Sequence, residues 1–232
     1  MVTSSLNTMI KQKLLVLGIA ATIFFGGLLY SRHWIPSRSS YPVQGIDVSH
    51  HQGAIDWKRV AAVGTDFAYI KASEGAEMRD PAFANNWLDA GEAGLKRGAY
   101  HFFTLCKSGT EQATNFISIV ERDETTLPPA LDLEFGGNCD ARPDKAKLLQ
   151  EIEIFVRMVE AHSGKPVILY LTSEFDDAYQ ISSAVNRPLW LRRLILQPNY
   201  GARNWVMWQA TNFRHVDGIK GRVDWNVLRN DG

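Results

Sequence analysis

Four short apolar runs recur along the chain at similar intervals. They begin at Phe67, Gly98, Pro129 and Pro166, so their starts lie 31, 31 and 37 residues apart. A strand–helix–strand unit takes about 30 residues or more. The runs do not alternate cleanly between apolar and polar residues, which is typical of strands buried on both faces of a parallel sheet. The pattern therefore predicts a series of βα units.

The segments between these runs carry helix signals. Ser108 and Glu111 form a capping-box pattern in front of apolar residues at helical spacing. Pro143 suits the first turn of a later helix, whose apolar stripe ends before Gly164. The stripe consists of Leu148, Ile152, Phe155, Val156 and Val159. Both segments are therefore predicted to be helical.

After about residue 180 the helical patterns disappear, and short strand-like runs follow one another closely. βα units followed by nearly helix-free strands predict an α/β fold over residues 41–232. We expect a modified, irregular TIM-like β/α barrel with about eight strands and about five helices. An open doubly wound sheet is the alternative. No glycine-rich phosphate loop follows the first predicted strand, so nucleotide binding has no support.

Residues 1–40 form a separate predicted region. Residues 14–30 are apolar and uncharged, and this length just reaches the minimum of about 17 residues for a transmembrane helix. No A-x-A-like cleavage site ends the run, which favours an uncleaved signal-anchor over a cleaved signal peptide that would leave the protein secreted. Two lysines before the run balance two arginines after it, so charge does not orient it. Residues 31–40 are predicted to be a linker.

Composition and charge narrow the possible functions. The 232 residues include 25 Lys plus Arg, 25 Asp plus Glu and 2 Cys. A neutral chain has no electrostatic footprint for nucleic acid, and two cysteines do not make a Cys-rich zinc module. The first 40 residues contain four basic and no acidic residues, which leaves 21 basic and 25 acidic residues in the predicted barrel. The neutral total therefore combines a basic leader with a mildly acidic folded part.

Two acids on one predicted strand are the clearest chemical signal. Asp132 and Glu134 lie two apart in ALDLEF, so their side chains project from the same face of the strand. Burial and mutual repulsion raise carboxyl pKa values, which can keep one carboxyl protonated near neutral pH as a general acid. The alternatives are an acid pair bound to neighbouring Arg or Lys, or a metal site.

Asp47 and Asp224 extend this acidic group. They lie on the first and the last predicted strands, which are neighbours in a closed barrel. All four acids would then face one mouth. Such a cluster fits either cleavage of a glycosidic bond or a metal-dependent hydrolase.

Several segments together resemble a known family. They are GIDVSHHQGAIDW, FAYIKASEG, AYHFF, ALDLEF, ILYLTS, PLW, the Trp208-Gln209 pair and VDWN, and they span about residues 43–228. In their order and spacing they resemble the Chalaropsis-type lysozymes, glycoside hydrolase family 25. The resemblance implies a modified β/α barrel that needs no cofactor and cleaves the β-1,4 bond between N-acetylmuramic acid and N-acetylglucosamine in peptidoglycan.

The resemblance also implies roles for the acids. Glu134 would be the general acid, and Asp132 would orient a water or the 2-acetamido group of the substrate. Asp47 and Asp224 would line the cleft. Whether the water or the acetamido group attacks stays open, and with it the retaining or inverting outcome.

Aromatic residues are further candidates for substrate contacts. Tyr170 would match a cleft tyrosine of the family, or it is a half-buried strand residue. Trp190 and Trp208 would stack on sugars, or they pack in the core. After PLW the family commonly continues with small and aromatic residues, whereas this chain has Leu191, Arg192 and Arg193.

The remaining candidates concern metals and sulfur. The adjacent His50 and His51 would point in opposite directions on an extended chain, so we expect no metal site there. Glu74 falls where the family has a glutamate that helps to fix the mouth loops, so the resemblance implies a structural role for it. Cys106 and Cys139 follow consecutive strands and would reach the same rim, which predicts a disulfide in an oxidising compartment.

These expectations describe a monomeric muramidase tethered to the membrane by its N-terminal helix. The catalytic domain would lie in the periplasm or outside the cell, where the glycan strands of peptidoglycan are found. One rival is a catalytically inactive peptidoglycan-binding or scaffold protein on the same barrel. The other is a metal-dependent hydrolase on a similar barrel.

Overall fold

The computed structural model describes residues 13–19, 21–22, 26–27 and 33–230. The chain divides into two compact units, Met1–Trp34 and Ile35–Gly232. In the first unit, residues 13–19 are helical. Within the described ranges, no helix combines the length and the apolar content that crossing a membrane requires. The predicted span, residues 14–30, lies outside the described residues at positions 20, 23–25 and 28–30.

The second unit contains a closed barrel. Eight strands form it in the order β1-β9-β8-β7-β6-β5-β4-β2, and β1 pairs with β2 to close the ring. The ninth strand, β3, is a two-residue strand that pairs only with β2. The strands are β1 (Gln44–Val48), β2 (Phe67–Glu74), β3 (Met78–Arg79), β4 (Lys96–Phe102), β5 (Ala130–Leu133), β6 (Ile168–Thr172), β7 (Leu189–Arg192), β8 (Met207–Arg214) and β9 (Val223–Leu228).

The barrel is mixed rather than fully parallel. Around the barrel, the strands β1, β2, β4, β5, β6, β7 and β8 are each parallel to the next. Strand β9 is antiparallel to both β8 and β1. Strand β9 therefore begins at the end of the barrel where the parallel strands finish. Because of this reversal, Asp224 near the start of β9 lies at the same mouth as residues near the ends of the other strands.

Helices surround the strands in greater number than the sequence predicts. The described part of the second unit has seven of them, against an expectation of about five. Four have seven residues or more. Helices of only three or four residues produce no apolar stripe that a sequence could reveal. They are a 3₁₀ helix η1 (His50–Gln52) and the α-helices α1 (Trp57–Ala62), α2 (Phe83–Glu92), α3 (Gly109–Ile117), α4 (Lys145–Ser163), α5 (Ser173–Tyr179) and α6 (Ile181–Ala184).

The predicted helix signals can be compared with the observed ends. Ser108 caps α3, and Glu111 completes the capping box, as predicted. The five apolar residues of the predicted stripe are the buried residues of α4, and Gly164 ends that helix with φ of 72°. Pro143 is not in its first turn. Asp144 caps the helix by accepting a hydrogen bond from the Lys147 amide, so the helix begins one residue after that cap.

A layer of aromatic rings fills the inside of the barrel. The Trp190 ring lies 5.1 Å from that of Tyr69 and 5.0 Å from that of Tyr170, measured between centroids. Because strand side chains alternate between faces, the inward position two residues beyond this layer lies at the mouth. These mouth positions are Lys71 on β2, Asp132 on β5 and Arg192 on β7, each two residues after a residue of the packed interior.

Candidate active site

An acidic cavity of about 440 Å³ lies at the mouth of the barrel. Its walls include Asp47, Lys71, Tyr100, Asp132, Glu134 and Asp224. The structure thus brings the four predicted acids to one cavity. They come from β1, from β5 and the residue just after it, and from β9. The aromatic layer lies beneath them on the inside of the barrel.

Asp47 and Asp224 form a coupled carboxyl pair. They are directly opposite each other in the register of β1 and β9. Burial and the negative charge of Asp224 raise the pKa of Asp47 well above its usual value. Burial raises the pKa of Asp224 to about 6, while hydrogen bonding to Gln209 opposes that rise. The pair can therefore hold a proton under conditions where isolated aspartates are ionised.

Trp190 orients one member of this pair through an asparagine. Its indole Nε1 donates to Asn226 Oδ1 at 2.9 Å, and Asn226 Nδ2 donates to Asp47 Oδ2 at 2.7 Å. An indole N–H can only donate, so it fixes which end of the Asn226 amide faces Asp47. This places Trp190 in the support of the acidic cluster. The sequence pattern did not single out Asn226, although it lies two residues after Asp224.

Asp132 is half-buried and has one carboxylate oxygen without a partner in the described part of the chain. Its Oδ1 atom is buried and has no hydrogen-bond partner among the described residues. Burial, followed by the charges of Glu134 and Asp47, raises the pKa of Asp132 well above its usual value, and Lys71 acts in the opposite direction. A buried polar atom without a partner is unfavourable for folding and is typical of a functional position.

Glu134 follows β5 and shares the inward face with Asp132. Burial raises the pKa of Glu134 to about 7, the positive charge of Arg192 opposes this rise, and the charge of Asp224 adds to it. A carboxyl with this pKa is protonated in a large fraction of molecules at neutral pH. It can therefore donate a proton where an exposed glutamate could not.

Asn138 and the disulfide hold the backbone around Glu134. The Asn138 side chain donates to Glu134 O at 3.0 Å and to Phe103 O at 2.9 Å. The next residue, Cys139, forms a disulfide with Cys106, with a Cα–Cα distance of 6.4 Å. These contacts join the loop that follows β4 to the loop that follows Glu134.

Lys71 is a cation in the cavity wall that none of the sequence motifs marks as a site residue. It is 9% exposed at its side chain, and its Nζ atom lies 2.7 Å from Glu74 Oε2 and 4.9 Å from the centroid of the Phe102 ring. Glu74, which was expected to be structural, is thus the partner of a lysine in the cavity wall. A charged residue inside the buried run FAYIKAS was the available signal, because a lysine is almost never buried without a partner.

The three predicted aromatic contacts lie outside the walls of this cavity. Tyr170 is 7% exposed and packs against Trp190, although it is close enough to the acids for their charges to add to the effect of burial in raising its pKa. Trp208 is 3% exposed, donates to Arg193 O and packs against Tyr41 and Trp205. Both tryptophans therefore have packing partners within the protein.

The two adjacent histidines differ in their surroundings. His50 lies 2.8 Å from Asp80, between Nδ1 and Oδ2, while His51 lines the cavity. Their rings lie 4.1 Å apart. In the part of the chain that the structure describes, no group of three or more His, Cys, Asp or Glu residues is arranged to hold a metal ion.

Similar proteins share this fold and much of the sequence. Residues 46–219 match the family described as glycosyl hydrolases family 25. Lysozyme M1 of Streptomyces globisporus is 36% identical over 197 residues, which cover 79% of this chain and 67% of that protein. The uncharacterized protein YegX of Escherichia coli K12 is 36% identical over 196 residues, covering 82% and 71%. A solved family 25 glycosyl hydrolase from Bacillus anthracis matches with a TM-score of 0.79 and 35% identity, covering 86% and 94%.

Proposed function

The chain belongs to glycosyl hydrolases family 25 and is a glycoside hydrolase, and from this membership we propose that it is a muramidase that cuts the glycan strands of peptidoglycan. The bond we propose is the β-1,4 linkage between N-acetylmuramic acid and N-acetylglucosamine. The observation that carries the proposal is Glu134, a carboxyl with a pKa of about 7, raised by burial, in the same cavity as the half-buried Asp132. Glycoside hydrolysis needs such a pair, in which one carboxyl donates a proton and the other acts as a carboxylate.

The proposed roles follow from these surroundings. Glu134 protonates the leaving oxygen of the glycosidic bond. Asp132, whose Oδ1 has no partner among the described residues, orients the attacking water or the 2-acetamido group of the substrate. Asp47 and Asp224 line the cleft and stabilise positive charge that develops on the sugar. Tyr170, which packs beneath the cavity, stays a predicted substrate contact only because the charges of all four acids act on it. Trp190 supports Asp47 through Asn226.

Mass spectrometry of the products tests this assignment. Purified peptidoglycan is digested with the protein in water enriched in heavy oxygen, and the soluble fragments are analysed. We expect the label at the new reducing end of N-acetylmuramic acid. A labelled N-acetylglucosamine end would contradict the proposed bond. Sedimentation of the protein with peptidoglycan, without release of any fragment, would favour the binding or scaffold protein instead.

The pH dependence of the reaction provides a second test. Because Glu134 must carry a proton, kcat/KM is expected to fall above an apparent pKa of about 7, by about tenfold for each further pH unit. Initial rates at low substrate concentration, measured from pH 5 to 9, give kcat/KM at each pH and so reveal this decrease. Thermal unfolding at each pH serves as the control for loss of folded protein. A constant kcat/KM across this range would contradict the role of Glu134.

We propose that the catalytic unit acts outside the cytoplasm and that residues 14–30 anchor it to the membrane. The support is the apolar run itself, in which five large side chains are between 52% and 65% exposed. They are Leu14, Leu15, Val16, Leu17 and Ile19. Lipid is the surrounding that covers such a run at least cost.

Membrane fractionation of the full chain tests the anchor. The protein is expected to remain in the membrane pellet after a high-salt or alkaline wash and to be released by detergent. Leu17→Arg places a charge in the middle of the run, at a cost of about 3 kcal/mol for insertion, and should shift the protein out of the pellet. Release of the unaltered protein by salt alone would contradict the anchor.

A further inference from the structure

Arg192 lies at the end of β7, on the side of the barrel where the proposed acids are, and its charge acts on two of them. It is the last residue of β7, two positions after Trp190, so both side chains leave the same face of the strand. Trp190 packs inside the barrel, and Arg192 therefore projects one layer higher, toward the mouth. In register it is flanked by Thr172 of β6 and Gln209 of β8.

The backbone carbonyl of Arg192 accepts a hydrogen bond, whereas its guanidinium has no partner among the described residues. The Tyr200 hydroxyl bridges Leu171 O at 2.7 Å and Arg192 O at 2.9 Å. The half-buried Arg192 side chain forms no hydrogen bond or ion pair with any residue that the structure describes. The adjacent Arg193, in contrast, donates through Nη1 to Gln197 O at 2.9 Å.

The charge of Arg192 still reaches the acids. It lowers the pKa values of both Glu134 and Asp224, against the effect of burial on each. If balancing these carboxylates were the whole function of Arg192, an ion pair with one of them would do so most effectively. No such pair is found among the residues that the structure describes, so the guanidinium donors have no protein acceptor there.

The proposed substrate carries the complementary group. Muramic acid bears a lactyl carboxyl group, and the peptide stems attached to it bear further carboxylates. A cavity walled by four acids repels these anions, and the lysine in its wall, Lys71, already pairs with Glu74. A guanidinium binds a carboxylate through two parallel hydrogen bonds, which gives both attraction and orientation.

We propose that Arg192 is a specificity-determining residue that binds a carboxylate of the peptidoglycan strand beside Glu134. The inference rests on the proposed muramidase function. The carboxylate comes either from the free lactyl group of a strand without peptides or from a peptide stem. Both sources present a carboxylate to the guanidinium, and different substrates distinguish between them.

Two pairs of substrates distinguish these sources. One pair consists of peptide-free glycan strands with the lactyl carboxylate intact or converted to a methyl amide. The other pair consists of strands whose peptide stems have free or amidated carboxylates. For the unaltered protein, we expect kcat/KM to be about tenfold or more higher for the charged member of one pair, mainly through a lower KM. A hydrogen bond between the guanidinium and a carboxylate strengthens binding by about this factor.

Three variants assign this preference to the guanidinium. Arg192→Gln should bring the ratio between charged and neutral substrates close to one. Arg192→Lys, which keeps the charge but not the fork, should retain part of the ratio. Arg193→Gln is the matched control, because it removes the neighbouring arginine and should leave the full ratio. A ratio that Arg192→Gln does not change, or a lack of preference in both pairs, would overturn the proposal.

Binding measurements separate this inference from the proposed function. In the Glu134→Gln background, calorimetry gives the Kd for charged and neutral strands with and without Arg192→Gln. We expect the additional substitution to weaken binding of the charged strands alone, by about tenfold. Equal weakening for both strands would overturn the role of Arg192. Failure of the unaltered protein to cut any substrate would count against the muramidase function, while this binding difference would still decide the inference.

Discussion

Glu134→Gln is expected to lower kcat on peptidoglycan by about a thousandfold while the protein stays folded. Glutamine keeps the size and the hydrogen-bonding shape of the side chain but has no acidic proton to transfer. Positioned general acids contribute about 10²- to 10⁴-fold to enzymatic rates. Because burial raises the pKa of Glu134 to about 7, the neutral amide also resembles the protonated carboxyl, so little rearrangement is expected around it. Release of reducing sugar from purified peptidoglycan measures the loss.

Glu153→Gln provides the control for this experiment. Glu153 is an exposed residue of α4, and the same chemical change there should leave kcat unaltered. Circular dichroism and the Tm show whether each variant is folded. Near-normal release of reducing sugar by folded Glu134→Gln would refute the assignment of the general acid.

The convergence of the acids could be predicted because it depends on strand geometry alone. Asp132 and Glu134 share a face through their spacing of two residues. Asp47 and Asp224 meet because the first and last strands of a closed barrel are neighbours. The structure pairs the latter two directly in register. Neither conclusion required knowledge of how side chains pack.

The fate of the tryptophans could not be predicted, because it depends on which face of a strand each one occupies. Trp190 lies inside the barrel with Met207, its partner in register. Trp208 follows Met207 directly, so it leaves the opposite face and packs against Tyr41 outside the barrel. A shift of one residue decides between the two faces, and apolar runs that lack alternation do not reveal it.

The supporting residues of the site were missed for a related reason. Lys71, Asn226 and Arg192 matter through particular partners, or through the lack of one, at distances that no motif records. In the sequence, Arg192 stands out only as a departure from the family pattern. Its position beyond the aromatic layer becomes apparent once Trp190 is placed inside the barrel.

Asp132→Asn is expected to reduce kcat by about a hundredfold to a thousandfold. The amide cannot provide the negative charge that orients the attacking group or stabilises positive charge on the sugar. The Oδ1 atom of Asp132 has no partner among the described residues, so the substitution breaks no hydrogen bond at that atom. Kinetics on purified peptidoglycan should show a fall in kcat with little change in KM. Retention of more than a tenth of the normal kcat would contradict the role of Asp132.

The same substitution should make the protein more stable, and the gain should depend on pH. Burial and the neighbouring Glu134 raise the pKa of Asp132 in the folded state, so ionisation at neutral pH favours the unfolded chain. Asparagine removes this penalty. The increase in Tm should be small near pH 3, where the unfolded aspartate, with a pKa of about 3.9, is still largely protonated, and should grow toward pH 7. Asp176→Asn is the matched control, because Asp176 is a buried carboxylate that accepts hydrogen bonds from Ser182 N and Oγ, and its loss should lower the Tm instead. If Asp132→Asn also lowered the Tm at pH 7, Asp132 would stabilise the fold. Its presence in the acidic cluster could then be explained by stability alone, without a catalytic role.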